Sequence, residues 1–406
     1  MSGSGDGGAR PGVILALEQA LALPYCTQRF VQEGWRVIRI ESTPRPGARN
    51  PGDPNRYAGV GEGDRRSYFV PPNLGKEAIA LNLKDARGRE ILQRLLVELG
   101  VDVFAVNLLP KQYEPLGIDF DTLSAARPGL IWVGLSAQGP EFPSAPGYDP
   151  AIQAAVGYMH LTGDPEGPPM VCGVPVIDLK AGDEAYARIY KALWQRERTG
   201  QGSRIDVSMM RASAQWLVTK TSLAALGHDP ASVTRTGNVH PIFTPVDVFP
   251  TADGFINLAV GNDLQWESLT RLAPFSHLAR GEYTTNSDRR DRRETLCAEI
   301  GDVTLQHTTD ALAEMFLSAR LIHARILDIP GVLDHPAVAP HLLRTRTPDG
   351  AQVPIAPNSH DTEFLADQGP ELPFPATYGE HTDAVLAEAG LSDGDIGSLR
   401  TAGVVA

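Results

Sequence analysis

Val13-Ile14-Leu15-Ala16-Leu17 is an unbroken apolar run, and beyond Pro24 a helical stretch reaches about Glu33 before Trp35-Arg36-Val37-Ile38-Arg39-Ile40. A run so short suits a strand better than a helix, and its lack of polar alternation predicts burial on both faces. Strand, helix and strand within about 30 residues form a βαβ unit, the building block of parallel sheets. The rhythm continues outward. Strands are expected over 78–83, 101–106, 130–134 and 203–207, with helices over 86–99, 121–126, 149–159, 183–198 and 212–226. The fold class that follows is α/β, a Rossmann-like parallel sheet covered by helices.

Past residue 227 the pattern changes. Strands over 245–249 and 255–260 flank the turn Thr251-Ala252-Asp253-Gly254, which predicts a hairpin, and helices are expected over 264–271, 291–302 and 309–319. The organisation expected is a Gly/Ser-rich disordered tail over 1–10, a large domain over 11–227, a smaller α+β domain over 228–328, and a Pro-rich stretch over 329–406. That last stretch returns to the large domain with a helix over 381–389.

Composition narrows the function. Apolar residues make up 42% of the 406, enough for a sizeable core, and the formal net charge is -13 with no block of Lys and Arg. Nucleic acid, whose binding needs many phosphate-neutralising cations, is not an expected partner. No apolar run approaches the roughly 20 residues that span a bilayer, and the first ten residues lack a signal-peptide core, so a soluble, cytoplasmic protein is expected. The cysteines, Cys26, Cys172 and Cys297, form no C-x-x-C pair, which leaves no metal site and no disulfide framework to expect. Gly59-Val60-Gly61-Glu62-Gly63 looks like a nucleotide-binding loop, but no strand precedes it and a polar loop follows.

Three stretches set polar residues among apolar or Gly/Pro-rich neighbours. Asp178 closes the run Val174-Pro175-Val176-Ile177 ahead of a helix. It is open to two readings, a helix cap or buried aspartate satisfied by backbone donors, and a nucleophilic carboxylate at a strand end, where α/β folds place ligands. Asn73-Leu74-Gly75-Lys76 and Asn107-Leu108-Leu109-Pro110-Lys111 each put an Asn and a Lys in a loop at a strand end. Such lysines are either plainly solvated or suited to phosphate as point charges.

At these residues the chain resembles class III CoA-transferases, the family of formyl-CoA transferase, carnitine-CoA transferase and the acyl-CoA racemases. Arg36-Val37-Ile38-Arg39-Ile40-Glu41 resembles the family's V-I-K-I-E, and Asn73 to Lys76 its N-x-G-K. Asn107 to Lys111 with Leu116-Gly117 resembles E-N-F-R-P-G…L-G, and Pro146-Gly147-Tyr148-Asp149 matches P-G-Y-D. Gly379-Glu380-His381-Thr382 with Val385-Leu386 resembles the closing G-E-H-T…V-L. In this order over most of the chain the set is specific, though no single piece is.

The resemblance implies that Asp178 is the catalytic carboxylate. It would attack an acyl-CoA thioester, with succinyl-CoA a candidate donor, to give an aspartyl anhydride and then an aspartyl-CoA thioester that passes CoA to an acceptor acid. No permanently bound cofactor is implied, since the CoA thioester is a substrate. Arg39, Arg45, Asn73, Lys76, Asn107, Lys111 and Gln138 are the implied CoA contacts, and Leu21, Tyr148 and His240 the implied substrate contacts. Tyr148 stands where the racemases carry a histidine, and a phenol with an ordinary pKa of about 10 is a poor base near neutrality. Leu21 replaces a glutamine of formyl-CoA transferase, Ser42 and Pro115 replace arginines, and Thr236 to Pro241 has one glycine where that enzyme has a glycine-rich loop. These departures argue against formate and oxalate. An interlocked homodimer is the implied assembly. An acyl-CoA isomerase, whether racemase or intramolecular CoA migrator, and a non-catalytic acyl-CoA binder remain the alternatives.

Overall fold

The computed structural model describes residues 12–44, 47, 50–61, 63–227, 229, 233–358 and 360–406. Six strands form one sheet: β1 (Val13–Leu17), β2 (Arg36–Glu41), β3 (Glu77–Ala80), β4 (Val103–Val106), β5 (Ile131–Ser136) and β6 (Ser203–Ser208). All are parallel, in the order β3-β2-β1-β4-β5-β6. The strand order reverses between β1 and β4. The loops leaving their carboxyl ends therefore diverge and open a crevice, the place where ligands sit in such sheets.

Helices connect and cover the strands: α1 (Ala22–Gln32), α2 (Ala86–Glu98), α3 (Phe120–Ala126) and α4 (Asp149–Ala155), then, past the short α5 (Tyr158–Leu161) of the second unit, α6 (Val176–Thr199), α7 (Met209–Ala214) and α8 (Val218–Ala225). Local chemistry starts several of them. Asp85 accepts the Arg87 N–H at the head of α2, Asp119 accepts the Thr122 N–H at α3, and Ser208 accepts the Arg211 N–H at α7. The expected helix over 149–159 breaks into α4 and α5, with Gly157 at φ +86° between them. That over 212–226 is α7 and α8, joined by a 3-10 turn at Gln215–Leu217.

The chain divides into two compact units. The first takes in residues up to Gly157, Cys172–Leu226 and Ala337–Ala406, and the second Tyr158–Val171 and Gly227–Pro336. The segment 158–171, expected in the large domain, goes with the second unit, and the first resumes at Ala337 rather than at 329. In the second unit β7 (Val246–Pro250), β8 (Phe255–Ala259) and β9 (Ile322–Arg325) make an antiparallel sheet, with α9 (Asp263–Thr270), α10 (Asn286–Asp291), α11 (Arg293–Thr304), α12 (Thr309–Ser318) and α13 (Ile329–Leu333). Its core is built on Phe249, Ile256, Leu258, Trp266, Phe275, Leu296 and Phe316.

The last stretch carries more structure than its prolines suggested: the hairpin β10 (Leu342–Arg346) and β11 (Gln352–Pro357), then α14 (Glu363–Gln368), α15 (Thr382–Glu388) and α16 (Asp393–Thr401). Val385, Leu386, Ile396, Val404 and Val405 join the core of the first unit. This segment also covers the outer edge of β3. Ala78 N–H donates to His381 Nδ1 (3.3 Å), Ala80 N–H to Thr382 Oγ1 (3.1 Å), and Asn82 N–H to Val404 O (2.8 Å). An exposed sheet edge is thereby closed, so the G-E-H-T motif is structural. The tail expected over 1–10 lies outside the described residues.

Candidate active site

The crevice between β1 and β4 is built by two loops tied by one side chain. Asn107, just past β4, accepts the Gln19 N–H with Oδ1 (3.0 Å) and donates Nδ2 to the Gln19 carbonyl (2.7 Å). Next to Gln19, Ala20 holds φ +62°, a conformation that costs a non-glycine residue about 1–2 kcal/mol. Its N–H donates to Asp53 Oδ2 (3.2 Å). Strain of this kind concentrates where surroundings enforce a working geometry.

A cleft of about 270 Å³ opens here, its wall including Gln19, Asn107, Leu135, Tyr148, Asp178 and Met209. A second, of about 350 Å³, lies over the ends of β2 and β3 beside Glu41, Ser42, Asn82 and Lys84, and shares Gln19, Leu108 and Gln112 with the first. Lys84 and Gln112 are wall residues that the sequence reading did not single out. The signal for Lys84 was its place in Leu81-Asn82-Leu83-Lys84, directly after a strand.

Asp178 is not at a strand end. Val176 already begins α6, so Asp178 lies in the first turn of a 24-residue helix. Pro175, at the N-cap, has no side-chain acceptor, and the cap comes from elsewhere. Asp149 Oδ2 accepts the N–H groups of Ile177 (2.7 Å) and Asp178 (3.1 Å). Gln153 Nε2 donates to Asp149 Oδ1 (2.6 Å), and Gln153 Oε1 accepts the Cys172 N–H (2.9 Å). Burial, and then the nearby Asp149 charge, push the Asp178 carboxyl up to about 7.

The fit of α6 to the crevice depends on a glycine. A Cβ on Gly182 would lie 2.6 Å from the Ala22 carbonyl oxygen, so α1 and α6 approach each other only because that atom is missing. Arg29 on α1 and Asp183 on α6 pair across the same contact.

The other residues marked from sequence fall in three groups. Asn107, Tyr148 and Asp178 line one cleft, and Tyr148 is 75% exposed there. Leu21 is the half-buried N-cap of α1 beside wall residues Ala20 and Ala22, and Gln138 follows wall residue Ala137 after β5. Lys111 is exposed in the turn after β4. Arg45 lies outside the described residues.

Arg39, Asn73 and Lys76 form a second group, buried under the crevice and not in its wall. Lys76 Nζ donates to Glu18 Oε1 (2.7 Å), Pro24 O (2.8 Å) and Thr27 Oγ1 (2.7 Å). Burial draws this ammonium down to about 8 against the upward pull of Glu18. Arg39 donates to Asn73 Oδ1 and to Asp53 Oδ2 (3.1 Å), and Arg56 holds Glu41 at 2.5 Å. These cations have their partners inside the protein, so a direct phosphate contact, expected from their loop positions, would require breaking buried pairs.

His240 belongs to the second unit. Its Nδ1 accepts the N–H groups of Ile242 and Phe243 (both 3.2 Å), which leaves the ring proton on Nε2 in the neutral form. Among the described residues no group of three His, Cys, Asp or Glu side chains is placed to hold a metal. None of their helices is long and apolar enough to cross a membrane.

Comparison with known proteins bears on the family and the fold. The model for CoA-transferase family III matches residues 12–382. The succinate–glutarate CoA-transferase of Agrobacterium fabrum is 31% identical over 92% of this chain and 94% of its own. The acetyl-CoA:oxalate CoA-transferase of Acetobacter aceti is 36% identical over 71% of this chain and 72% of its own. Among solved structures, a CaiB/BaiF family protein from Brucella suis superposes with a TM-score of 0.78 at 27% identity, covering 93% of this chain and 98% of that one.

Proposed function

The chain belongs to CoA-transferase family III and is an enzyme that transfers CoA, and from that premise we propose that it moves CoA from an acyl-CoA donor to a free carboxylic acid through Asp178. The observation that carries this reading is the carboxyl itself, lifted to about 7 in the wall of the switch-point cleft. Such a group is about half ionised near neutrality, and its anion is more basic, and so more nucleophilic, than an ordinary carboxylate.

In the first step an Asp178 oxygen attacks the thioester carbonyl. The C–S bond breaks, leaving an aspartyl-acyl anhydride and CoA thiolate. The thiolate attacks the aspartyl carbonyl of the anhydride, the donor acid departs as carboxylate, and CoA is left on Asp178 as a thioester. The acceptor carboxylate then attacks that thioester, and the two steps run in reverse to release the new acyl-CoA and free Asp178. No proton has to move, because every nucleophile and leaving group is an anion. The demand on the protein is for donors toward each tetrahedral oxyanion, a task for backbone N–H groups.

The two clefts meeting at Gln19, Leu108 and Gln112 form the groove we assign to CoA, with Lys84, Asn107, Lys111 and Gln138 toward its polar parts. Arg39, Asn73 and Lys76 are assigned the support of that groove, and Leu21 and Tyr148 remain the proposed substrate contacts. Relatives named for glutarate and oxalate favour a dicarboxylic acceptor, with succinyl-CoA as donor. Among the described residues lining the Asp178 cleft there is no histidine, which favours transfer over racemisation. A cytoplasmic, interlocked homodimer completes the proposal.

The test is exchange. The enzyme is incubated with succinyl-CoA and one free acid at a time, and new acyl-CoA is read by mass spectrometry. A product that needs both the acid and Asp178 supports transfer. Turnover of a lone dicarboxyl-CoA, or solvent deuterium at the α-carbon, would replace it with isomerisation.

A further inference from the structure

The helix that carries Asp178 is capped by a residue from another helix, and the cap is itself charged. Asp149 is 5% exposed and Gln153 is fully buried. Gln153 occupies one Asp149 oxygen, so the other is free to take both N–H groups of Ile177 and Asp178. A neutral acceptor such as Asn or Ser would close that turn equally well. A carboxylate placed beside a second carboxylate is a costly choice for a cap alone.

We propose that Asp149, braced by Gln153, is a positioning residue for Asp178: its carboxylate fixes the backbone of the nucleophile and sets a negative charge beside the reacting group. The inference rests on Asp178 being the nucleophile of the transfer. This charge keeps the Asp178 anion basic enough to attack a thioester, while the two N–H bonds hold it where the cleft delivers the carbonyl.

Other charged groups on the elements packed around the first turns of α6 have partners. Arg29 of α1 pairs with Asp183, Lys180 with Glu184, Arg204 of β6 with Asp206, Arg211 of α7 with Glu141, and Glu18 after β1 with Lys76. Asp149 is the neighbouring charge that raises Asp178, second to burial.

The experiment titrates Asp178 directly in the intact protein. A water-soluble carbodiimide with an amine labels protonated carboxyls, and the extent at Asp178 is read by peptide mass spectrometry between about pH 5 and about pH 9. Wild type should show a midpoint near 7. Asp149→Asn, which keeps an acceptor and removes the charge, should move it to lower pH; a fall of one unit cuts the protonated fraction at pH 7 from about a half to about a tenth. Asp149→Glu should keep the wild-type midpoint, which guards against a variant that merely folds poorly. An unchanged midpoint in folded Asp149→Asn overturns the proposal and leaves Asp149 a plain cap. Labelling needs no acyl-CoA, so the two readings fail separately. An unshifted midpoint in an enzyme that does form an acyl adduct counts against Asp149, and a shifted midpoint in one that forms none counts against the transfer chemistry.

Discussion

Replacing Asp178 with asparagine should stabilise the protein, by an amount that grows with pH. A carboxyl raised from 3.8 to about 7 on folding holds its proton more tightly in the folded than in the unfolded chain. Its contribution to stability is therefore full below the unfolded value and is lost as pH climbs through the folded one. At 1.36 kcal/mol per unit, the span from 3.8 to about 7 is at most about 4 kcal/mol, reached by about pH 8, with about 1.5 kcal/mol of it already present at pH 5. Asparagine has nearly the same shape and no charge to desolvate. For a chain of this length a kilocalorie moves the melting temperature by roughly 1 °C, so the variant should melt about 4 °C higher than wild type at pH 8 and only about 1–2 °C higher at pH 5. Calorimetry of both proteins across that range reads the difference, and titrating groups away from the Asp178–Asp149 pair cancel between them. A gap that stays flat with pH, or a variant less stable at pH 8, would make Asp178 an ordinary helix-start aspartate.

Two further outcomes follow from the packing and the groove. Gly182→Ala sets a methyl 2.6 Å from the Ala22 carbonyl oxygen, a backbone atom that cannot swing aside, so denaturant unfolding should show a loss of about 1–3 kcal/mol and turnover should fall as α1 moves off α6; a variant as stable and active as wild type would mean the helices part freely. Lys84→Ala should raise KM for the acyl-CoA about tenfold or more with little change in kcat, as expected for one lost charge-assisted phosphate contact, and an unchanged KM would move CoA out of the second cleft.

Much of this protein is written locally and some of it is not. Val13 to Leu17 reads as a buried strand because nothing polar interrupts it, and the helices after Asp85 and Asp119 begin where a capping side chain sits at the right offset. The start of α6 is different. Its cap, Asp149, stands far back in the chain, so Val174 to Ile177 reads as a strand end when only neighbours are consulted. Lys76 misleads for the same reason: next to a loop glycine it looks solvated, and only the fold brings Glu18 and Thr27 around it. The hairpin β10 and β11 hides among prolines, two of which, Pro354 and Pro357, sit in the edge strand β11, where a missing N–H costs little. Asp178 itself was found by resemblance, since its type and neighbours also fit a simple cap; what its neighbours could not reveal is the charge that Asp149 places beside it.

The covalent role of Asp178 is tested most directly by intact-protein and peptide mass spectrometry after incubation with succinyl-CoA and hydroxylamine, with Asp178→Ala alongside. A hydroxamate on Asp178 is expected in the wild type and none in the variant. A protein that binds a panel of acyl-CoAs yet never yields that adduct would contradict that role.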